Sequence, residues 1–338
     1  MNTIPSTISE TLPPYTAIGG GRREGAGLSL VILNRANPAS RFAFFQELEK
    51  EGFDRIVSIE AGGQRYDIEE LAARFPQVRF IILQDEISPG AQVNLGAAEV
   101  ESPFFLVIWN DCRITRGGDA GHILERVLLG AAPSGGAQDD ARAPRLCTVP
   151  IVQTAQAETL ATLCAPAIKR FVISTAPFVP DREGAPTLFP YEGMGIYDRE
   201  RFFRIGGYDA GMRNFHWQLL DFGFRCWLWG EELAATRSVK LSCSGQIPVH
   251  DCSLDDSYRR FYLKNLAPVF RADHANIPIR AFPGYAFRSR IGLFASWMEF
   301  SAARRWAAQN RYRFRLGIPR LNSLWREIPD LGSGEGGE

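Results

Sequence analysis

Four segments between residues 193 and 250 decide the fold of this chain. In order, they are Gly193-Met194-Gly195-Ile196, Arg199-Glu200-Arg201-Phe202-Phe203-Arg204-Ile205-Gly206-Gly207-Tyr208-Asp209, Trp217-Gln218-Leu219-Leu220-Asp221-Phe222-Gly223-Phe224-Arg225 and Pro248-Val249-His250. The pair Gly206-Gly207 is typical of a turn that needs positive φ, because no strand-to-helix pattern of the dinucleotide-binding type surrounds it. The fold that these four segments indicate depends on the residues that precede them.

Those preceding residues alternate between apolar runs of strand length and helix-compatible stretches. The runs are Leu28–Leu33, Arg55–Ile59, Val78–Leu83 and Phe104–Trp109, and the helix-compatible stretches between them cover 39–51, 68–75 and 90–100. Strands that alternate with helices predict a parallel sheet with crossover helices. In such a sheet, ligands bind beyond the carboxyl ends of the strands, which makes Asn34, Glu60, Asp85 and Asp111 the natural site candidates.

The length, composition and charge of the chain limit the classes of function that it can have. With 338 residues and 45% hydrophobic content the chain can bury a large core, and its 38 Lys plus Arg equal its 38 Asp plus Glu. This balance predicts no nucleic-acid partner for the chain as a whole. Residues 280–327 differ, because they contain ten Arg against only Glu299 and Glu327.

Cysteine usage and hydropathy predict the compartment. The six cysteines contain no C-x-x-C pair, and a chain of this length does not need disulfides to fold, so we expect them to be reduced. The N-terminus has no signal-peptide pattern, and no run of about 18 apolar residues occurs. The sequence therefore predicts a cytoplasmic protein.

On these segments the chain resembles family 2 glycosyltransferases of the GT-A fold. The four opening segments are similar to the acceptor-side half of that family, and Ile56 to Gly63 and Gly90 to Gly96 are similar to its donor-side half. The resemblance covers about residues 28–270. It implies an α/β fold of the GT-A type, with a mostly parallel central sheet flanked by helices. Around this domain we expect a flexible leader at 1–27, an insertion at 131–145, an Arg-rich helical appendage at 271–330 and a disordered tail at 331–338.

The resemblance also implies a donor site and a metal. It assigns donor binding to Asn34, Glu60, Gly90, Asn94, Asn110 and Asp111. The family's D-x-D metal motif aligns with Asn110-Asp111-Cys112, where one carboxylate is left. Asp111 with His250 could hold Mn or Mg together with the donor diphosphate. The alternative is that Asn110 and Asp111 form an ordinary turn and that His250 is a satisfied histidine at a strand end.

The general base is the second chemical question. Gln218 and Leu219 occupy the first two positions of the family's E-D-x-D motif, and neither can accept a proton at neutral pH. Asp221 is the base that remains in the motif, and Asp209 or His216 would serve if the fold brings them close. Trp217 and Gln218 are expected to contact the acceptor. Alternatively, Asp221 forms only an i, i+4 helix-surface ion pair with Arg225.

The function implied is inverting transfer of a sugar from a nucleotide-diphosphate donor to a glycan or lipid-linked acceptor. Loss of the acidic residues is also what an inactive protein of this fold would show, one that binds nucleotide, glycan or a protein partner. A nucleotidyltransferase is the third class, but the loop 34–38 is a poor match for the basic, Gly-rich loop that this class needs after its first strand.

The C-terminal region has two interpretations. Apolar residues recur at helical spacing from 291 to 308, namely Leu293, Phe294, Trp297, Met298, Ala302 and Trp306, with Arg304 and Arg305 beside them and Arg311, Arg313 and Arg315 after them. Packing of this stripe on the domain is one interpretation. The other is peripheral contact with anionic lipid at the inner face of the membrane, which would suit a lipid-linked acceptor.

Overall fold

The computed structural model describes residues 12–21, 25–35, 41–60, 68–130, 145–169, 172–246 and 248–326. The predicted insertion at 131–145 lies outside these residues except for Arg145, and the predicted tail at 331–338 lies wholly outside them. Residues 1–11 and 22–24 of the predicted leader and residues 327–330 of the predicted appendage also lie outside them. So do residues 61–63 of the segment similar to the donor-side half and residues 36–38 of the loop considered for a nucleotidyltransferase.

A large mixed sheet forms the centre of the molecule. The described strands are β1 (Tyr15–Gly19), β2 (Leu28–Leu33), β3 (Ile56–Glu60), β4 (Val78–Leu83), β5 (Phe104–Trp109), β6 (Cys112–Arg116), β7 (Cys147–Thr154), β8 (Leu163–Lys169), β9 (Val172–Phe178), β10 (Gly195–Asp198), β11 (Leu233–Cys243), β12 (Val269–Arg271) and β13 (His274–Asn276). Nine of them pair in the order β1-β4-β3-β2-β5-β10-β7-β11-β6, while β8-β9 and β12-β13 form separate hairpins.

The first half of this sheet has the predicted parallel strands. Strands β4, β3, β2 and β5 are parallel neighbours, and their bounds agree with the predicted runs to within one residue. Strand β10 lies antiparallel between β5 and β7 and so joins the two halves of the chain. Strand β11 runs parallel to β7, and β6 closes that edge in the antiparallel sense.

Helices cover the sheet. They are α1 (Arg41–Lys50), α2 (Ile68–Arg74), α3 (Pro89–Glu99), α4 (Ala120–Gly130), α5 (Arg199–Ile205), α6 (Phe215–Leu228), α7 (Asp256–Phe261), α8 (Phe282–Ser289), α9 (Leu293–Gln309) and α10 (Ile318–Arg326). All six residues of β2 are buried, because helices α3 and α4 contact this strand. A Cβ at Gly96 would lie 2.3 Å from Val31 Cγ1, so only glycine permits α3 to approach β2 this closely.

One segment of the predicted leader is ordered. Residues Tyr15–Gly19 form β1, which pairs antiparallel with β4 from Tyr15 opposite Leu83 to Gly19 opposite Arg79. A strand at the edge of a sheet presents unpaired backbone groups, and β1 satisfies those of β4. A five-residue strand at an antiparallel edge shows little of the periodicity that revealed the central strands.

Helices α8, α9 and α10 occupy most of residues 282–326. Helix α9 buries Phe300, Ala303 and Ala307, and it contacts β13 and the π-helical turn Tyr262–Leu266. The rings of Trp229 and Trp306 stack with their centroids 6.0 Å apart. Trp306 from the predicted apolar stripe is therefore packed against the domain. No helix in the described residues is both long enough and apolar enough to cross a bilayer.

The structure corrects one prediction about the cysteines. The register of β6 and β11 places Cys112 opposite Cys243, and a disulfide joins them. The expectation that all six cysteines are reduced is wrong for this pair, whose separation of 131 residues gave no pairing signal in the sequence. The free cysteines are Cys147, Cys164, Cys226 and Cys252.

Candidate functional site

The residues after β2, β3 and β5 meet at one edge of the sheet, as a parallel arrangement requires. Asn34, directly after β2, donates from Nδ2 to the carbonyl oxygen of Ile59 in β3 at 2.6 Å. Asn110, directly after β5, accepts a hydrogen bond from the backbone N of Arg35 at 3.2 Å. These bonds tie the strand ends together and bring the side chain of Arg35 over the edge.

Arg35 is the centre of this edge. Its Nε atom donates to both oxygens of Asp111, at 3.2 and 3.1 Å, and its Nη1 atom donates to Glu192 Oε2 at 3.1 Å. The guanidinium carbon lies 4.7 Å from the ring centroid of Trp109, in a cation–π position. Two carboxylates and an aromatic face therefore hold the cation in one orientation.

Glu192 links Arg35 to the histidine that the resemblance singled out. His250 Nε2 lies 2.6 Å from Glu192 Oε1, and the backbone carbonyl of Glu192 accepts from Trp109 Nε1 at 2.9 Å. Glu192 is buried and has φ +54° and ψ +22°, a conformation that is costly for a residue with a side chain. We name Arg35, Asp111, Glu192 and His250 the charged cluster.

A second histidine lies beside the charged cluster. His216, at the start of α6, has its ring centroid 5.9 Å from that of His250 and 4.8 Å from that of Trp217. Burial lowers the pKa of His216, and the neighbouring His250 lowers it further. His216 is therefore neutral at pH 7 and able to accept a proton.

The segment after β11 covers the cluster on one side. Ser244 donates from its backbone N and its Oγ to the carbonyl oxygen of Asp111, at 3.0 and 3.1 Å. A Cβ at Gly245 would lie 2.0 Å from Asp111 Oδ2, so a glycine is required for this close approach. Asp111 is consequently only 7% exposed.

The contacts of the cluster do not fit the predicted metal. Asp111 is occupied by Arg35, His250 faces Glu192, and Cys112, the third residue of the aligned motif, is in a disulfide. Divalent Mg or Mn needs several oxygen ligands that are not already paired with a cation. Among the residues that the structure describes, no three His, Cys, Asp or Glu side chains form a ligand set. We derive no step through a metal.

Glu60, a predicted donor-binding residue, is paired within the protein. It is 1% exposed, and its Oε1 accepts from Arg41 Nη2 and from Ser58 Oγ, both at 2.6 Å. Ser58 also accepts from Asn34 Nδ2 at 3.3 Å. Asn34 and Glu60 thus belong to one hydrogen-bond network at the end of β3, and their donor-binding roles stay predictions.

Gly90 and Asn94 connect the two halves of the chain. The backbone N of Gly90 donates to Gln218 Oε1 at 3.0 Å, and a Cβ at Gly90 would lie 2.5 Å from that amide. Asn94 accepts from the backbone N of Tyr208 at 2.9 Å and donates to its carbonyl oxygen at 2.7 Å. Both predicted donor residues thus make contacts that hold α3 to the acceptor-side half.

The predicted acceptor residues are also buried in this conformation. Gln218 is fully buried, and its Nε2 donates to Ser88 Oγ and to the carbonyl oxygen of Asp209, each at 2.9 Å. Trp217 is 3% exposed and donates from Nε1 to the carbonyl oxygen of Ser253 at 2.7 Å. The acceptor roles of Trp217 and Gln218 stay predictions.

Asp209 and Asp221, the predicted bases, share one buried lysine. Lys264 Nζ lies 2.7 Å from Asp209 Oδ2 and 3.1 Å from Asp221 Oδ1. Asp209 also accepts from Arg260 Nε at 2.6 Å. The two carboxylates are 1% and 0% exposed, so both belong to a buried network of ion pairs.

The remaining partners of Asp221 complete this network. Arg225 Nε donates to Asp221 at 2.7 Å, and Asn265 Nδ2 donates at 2.8 Å. Both side chains of the Asp221–Arg225 pair are inaccessible to solvent, so the alternative of a helix-surface pair is wrong. Arg225 further donates to the carbonyl oxygens of Ile205 and Gly207, which fastens the turn between α5 and α6.

The electrostatics of the network make Asp209 a weak base. Burial by itself would raise the pKa of Asp209, but the charges and hydrogen bonds of Lys264 and Arg260 outweigh burial and hold this pKa well below its ordinary value. A carboxylate that remains ionised in strong acid has little tendency to take a proton from a hydroxyl group. A catalytic role for Asp209 or Asp221 would require the network to open.

The sequence did not predict two members of the charged cluster, Arg35 and Glu192. Arg35 is the second residue after β2, where the sequence predicted a role only for its neighbour Asn34. Glu192 directly precedes the glycine-flanked segment that begins the diagnostic series, but nothing in the sequence indicated its left-handed backbone. Position at a strand end was the available signal for Arg35, and no such signal existed for Glu192.

Comparisons with known proteins agree with this architecture. No family model and no curated protein matches the chain. A solved structure of GalNAc-T7 with UDP, GalNAc and Mn²⁺ is similar with a TM-score of 0.53 and 13% identity, over 90% of this chain and 57% of that chain. S. aureus TarS 1-349 in complex with UDP-GlcNAc is similar with a TM-score of 0.48 and 11% identity, over 89% of this chain and 91% of that chain.

The chain thus spans little more than half the length of the GalNAc-T7 structure. An identity of 13% shows the fold and does not by itself show the activity. The strand order, the helices on the sheet and this similarity agree with what the sequence resemblance implied. The chain has the GT-A fold of nucleotide-sugar glycosyltransferases.

Proposed function

We propose that this protein is a glycosyltransferase that transfers a sugar, with inversion, from a nucleotide-diphosphate donor to a hydroxyl group of a glycan or lipid-linked acceptor. The observation that carries the proposal is the charged cluster, which lies beyond the C-terminal ends of β2 and β5. Ligands of α/β sheets bind at this position. The similar GalNAc-T7 structure, which holds UDP, supports a nucleotide donor.

Arg35 is the proposed diphosphate ligand. A guanidinium group presents paired N–H donors that match phosphate oxygens, and Trp109, Asp111 and Glu192 hold this one in place before the donor binds. The donor exchanges with one of the carboxylates for Arg35. The nucleoside lies toward Asn34 and the Glu60 network at the end of β3.

His216 is the proposed general base. In the reaction, the acceptor hydroxyl gives its proton to His216 while its oxygen forms a bond to the anomeric carbon of the donor sugar. The bond from that carbon to the diphosphate oxygen breaks, and the nucleoside diphosphate leaves with the electron pair. Arg35 stabilises the negative charge that grows on this leaving group. His250, between Glu192 and His216, positions the base.

Calorimetric titration with UDP-GlcNAc, UDP-GalNAc and GDP-mannose, each with and without Mn²⁺, tests donor binding. We expect micromolar binding to one of them that Mn²⁺ does not strengthen, because the cluster presents a guanidinium where a metal would stand. Arg35→Gln should weaken this binding at least tenfold, or about 1.4 kcal/mol. Arg126→Gln, at an exposed position on α4, is the matched control. No binding of any donor would refute the proposal.

A non-catalytic protein of this fold is the second candidate. The buried pairing of Asp209 and Asp221 favours it, because neither acid can reach an acceptor in this conformation. Donor hydrolysis in the absence of acceptor separates the two candidates. Slow hydrolysis that His216→Gln abolishes without weakening donor binding supports the enzyme, and donor binding without any turnover supports the non-catalytic protein.

A further inference from the structure

We propose that the turn between α8 and α9 docks the protein on an anionic lipid bilayer. The docking surface consists of the apolar residues Phe287, Leu293, Phe294 and Met298 and the basic residues Arg280, Arg290 and Arg305. This inference does not depend on the proposed transferase activity. The sequence predicted lipid contact through an apolar stripe along residues 291–308, whereas this proposal places the contact at the α8–α9 turn.

The apolar members are unusually exposed. Phe287, Phe294 and Leu293 are 88%, 77% and 75% exposed, and Met298 is 58% exposed. Three of the four lie within residues 287–294, on both sides of the α8–α9 turn. Scattered exposed apolar residues are common on soluble proteins, but four large ones within residues 287–298 are an unusual concentration that indicates an interaction site.

The helices below this surface are firmly packed, so the exposure does not come from loose structure. Phe300 is fully buried in α9, and Tyr285 of α8 is 4% exposed. Their rings stack with centroids 6.0 Å apart, and the Tyr285 hydroxyl donates to Glu299. The packed face of α9 holds Phe300, Ala303 and Ala307, whereas Phe294, Met298 and Arg305 follow helical spacing along a different face.

The charge of the surface selects the partner. Arg280, Arg290 and Arg305 are exposed, and none has an ion-pair partner in the part of the chain that the structure describes. Glu299 is the single acidic residue between 274 and 326, and its carboxylate is paired with Arg259 and accepts from the Tyr285 hydroxyl. Exposed arginines on the same helical region as exposed aromatic side chains match anionic headgroups above acyl chains.

This charge also disfavours a second copy of the chain as the occupant. A symmetric dimer through this surface would place the same arginines opposite one another, and like charges repel at an interface. A bilayer with anionic headgroups has the complementary charge, and its interior accepts the phenyl rings. A shallow insertion of the turn is the expected geometry, since α8 has only 8 residues.

Co-sedimentation of the full chain with vesicles tests the proposal. We expect binding to vesicles of 70% phosphatidylcholine and 30% phosphatidylglycerol, and at least tenfold weaker binding to pure phosphatidylcholine. The double substitution Phe287→Ser with Phe294→Ser, and separately Arg280→Glu with Arg290→Glu, should each lower the partition coefficient at least tenfold. Leu129→Ser and Arg126→Glu, at exposed positions on α4, are the matched controls and should change it little.

Three results would overturn the proposal. One is absence of binding to the anionic vesicles. Another is binding that is lost in 0.5 M NaCl but unaffected by the two phenylalanine substitutions, which would show charge attraction without docking of the turn. The third is a concentration-dependent dimer in sedimentation velocity that Phe294→Ser disperses. Circular dichroism and urea unfolding of each variant verify the fold, so failure of the proposed transferase function does not affect the test.

Discussion

Arg35 Nε donates to both carboxylate oxygens of Asp111, at 3.2 and 3.1 Å. The position of Asp111 is the one at which the resemblance implied a metal ligand. In this chain a guanidinium from the end of β2 neutralises that carboxylate, and Glu192 binds the same guanidinium from the other side. The positive charge at this edge of the sheet therefore comes from Arg35, after β2, and not from a metal ion bound to Asp111.

Replacing Gly245 should disturb this arrangement without unfolding the protein. A Cβ at Gly245 would lie 2.0 Å from Asp111 Oδ2, so Gly245→Ala must displace either the carboxylate or the segment after β11. We expect donor affinity to fall about tenfold, or 1.4 kcal/mol. Calorimetric titration measures this, and Gly121→Ala on α4, where a Cβ makes only ordinary contact, is the control. Unchanged affinity would place the donor elsewhere.

Asp221→Asn should cost stability. The substitution removes the negative charge that faces Arg225 and Lys264 in a region closed to solvent, and an uncompensated buried cation is unfavourable. We expect the free energy of unfolding to fall by about 3–5 kcal/mol. Urea unfolding measures it, with Asp273→Asn, at a largely exposed side chain, as the control. A variant that is as stable as the wild type but has no turnover would indicate that Asp221 is a catalytic residue.

Acid should destabilise the protein through Asp209. Because the pKa of Asp209 is held well below its ordinary value of 3.8 in the folded state, its pairing stabilises the protein fully above that value. This contribution is lost progressively as the pH falls below 3.8. Urea unfolding from pH 2 to pH 7 should show a steeper decline for the wild type than for Asp209→Asn. Equal slopes would contradict the assigned pairing.

The activity should have an acid limb that reports His216. Burial and His250 lower the pKa of His216, so its neutral form persists below the ordinary histidine value of 6.5. The midpoint of the fall in kcat/KM should therefore lie below pH 6.5, and His216→Gln should remove that limb along with most of the turnover. His250→Gln, which takes away one cause of the shift, should move the midpoint upward. A limb that survives in His216→Gln would exclude His216 as the base.

The disulfide predicts a simple thiol count. Alkylation of the unfolded, unreduced protein followed by mass spectrometry should label four cysteines, and prior reduction should raise the number to six. The double substitution Cys112→Ser with Cys243→Ser should lower the free energy of unfolding by about 2–4 kcal/mol, since a long loop is no longer closed. Six labelled cysteines without reduction would show that the pair is free.

The donor-side half was predictable because its signals are local. The run Leu28–Leu33 is apolar on both faces, as a central parallel strand must be, and the residues after such runs necessarily meet at one edge. Asn34, Glu60, Asp85 and Asp111 were predicted as site candidates in this way. The same reasoning could not show that Glu60 pairs with Arg41, because that contact depends on how α1 packs across β3.

The sequence by itself determined the four parallel strands of the donor-side half and the helices between them, because short-range periodicity encodes them, and its motifs carried the resemblance to the GT-A fold. The same strand ends are where we expect a ligand to bind. Only the tertiary structure decided what the acidic residues do. It placed Arg35 against Asp111, turned Glu192 toward His250 and enclosed Asp209 and Asp221 with Lys264. The physical reason is that ion pairing and burial depend on distances between residues far apart in the chain, which no local pattern records.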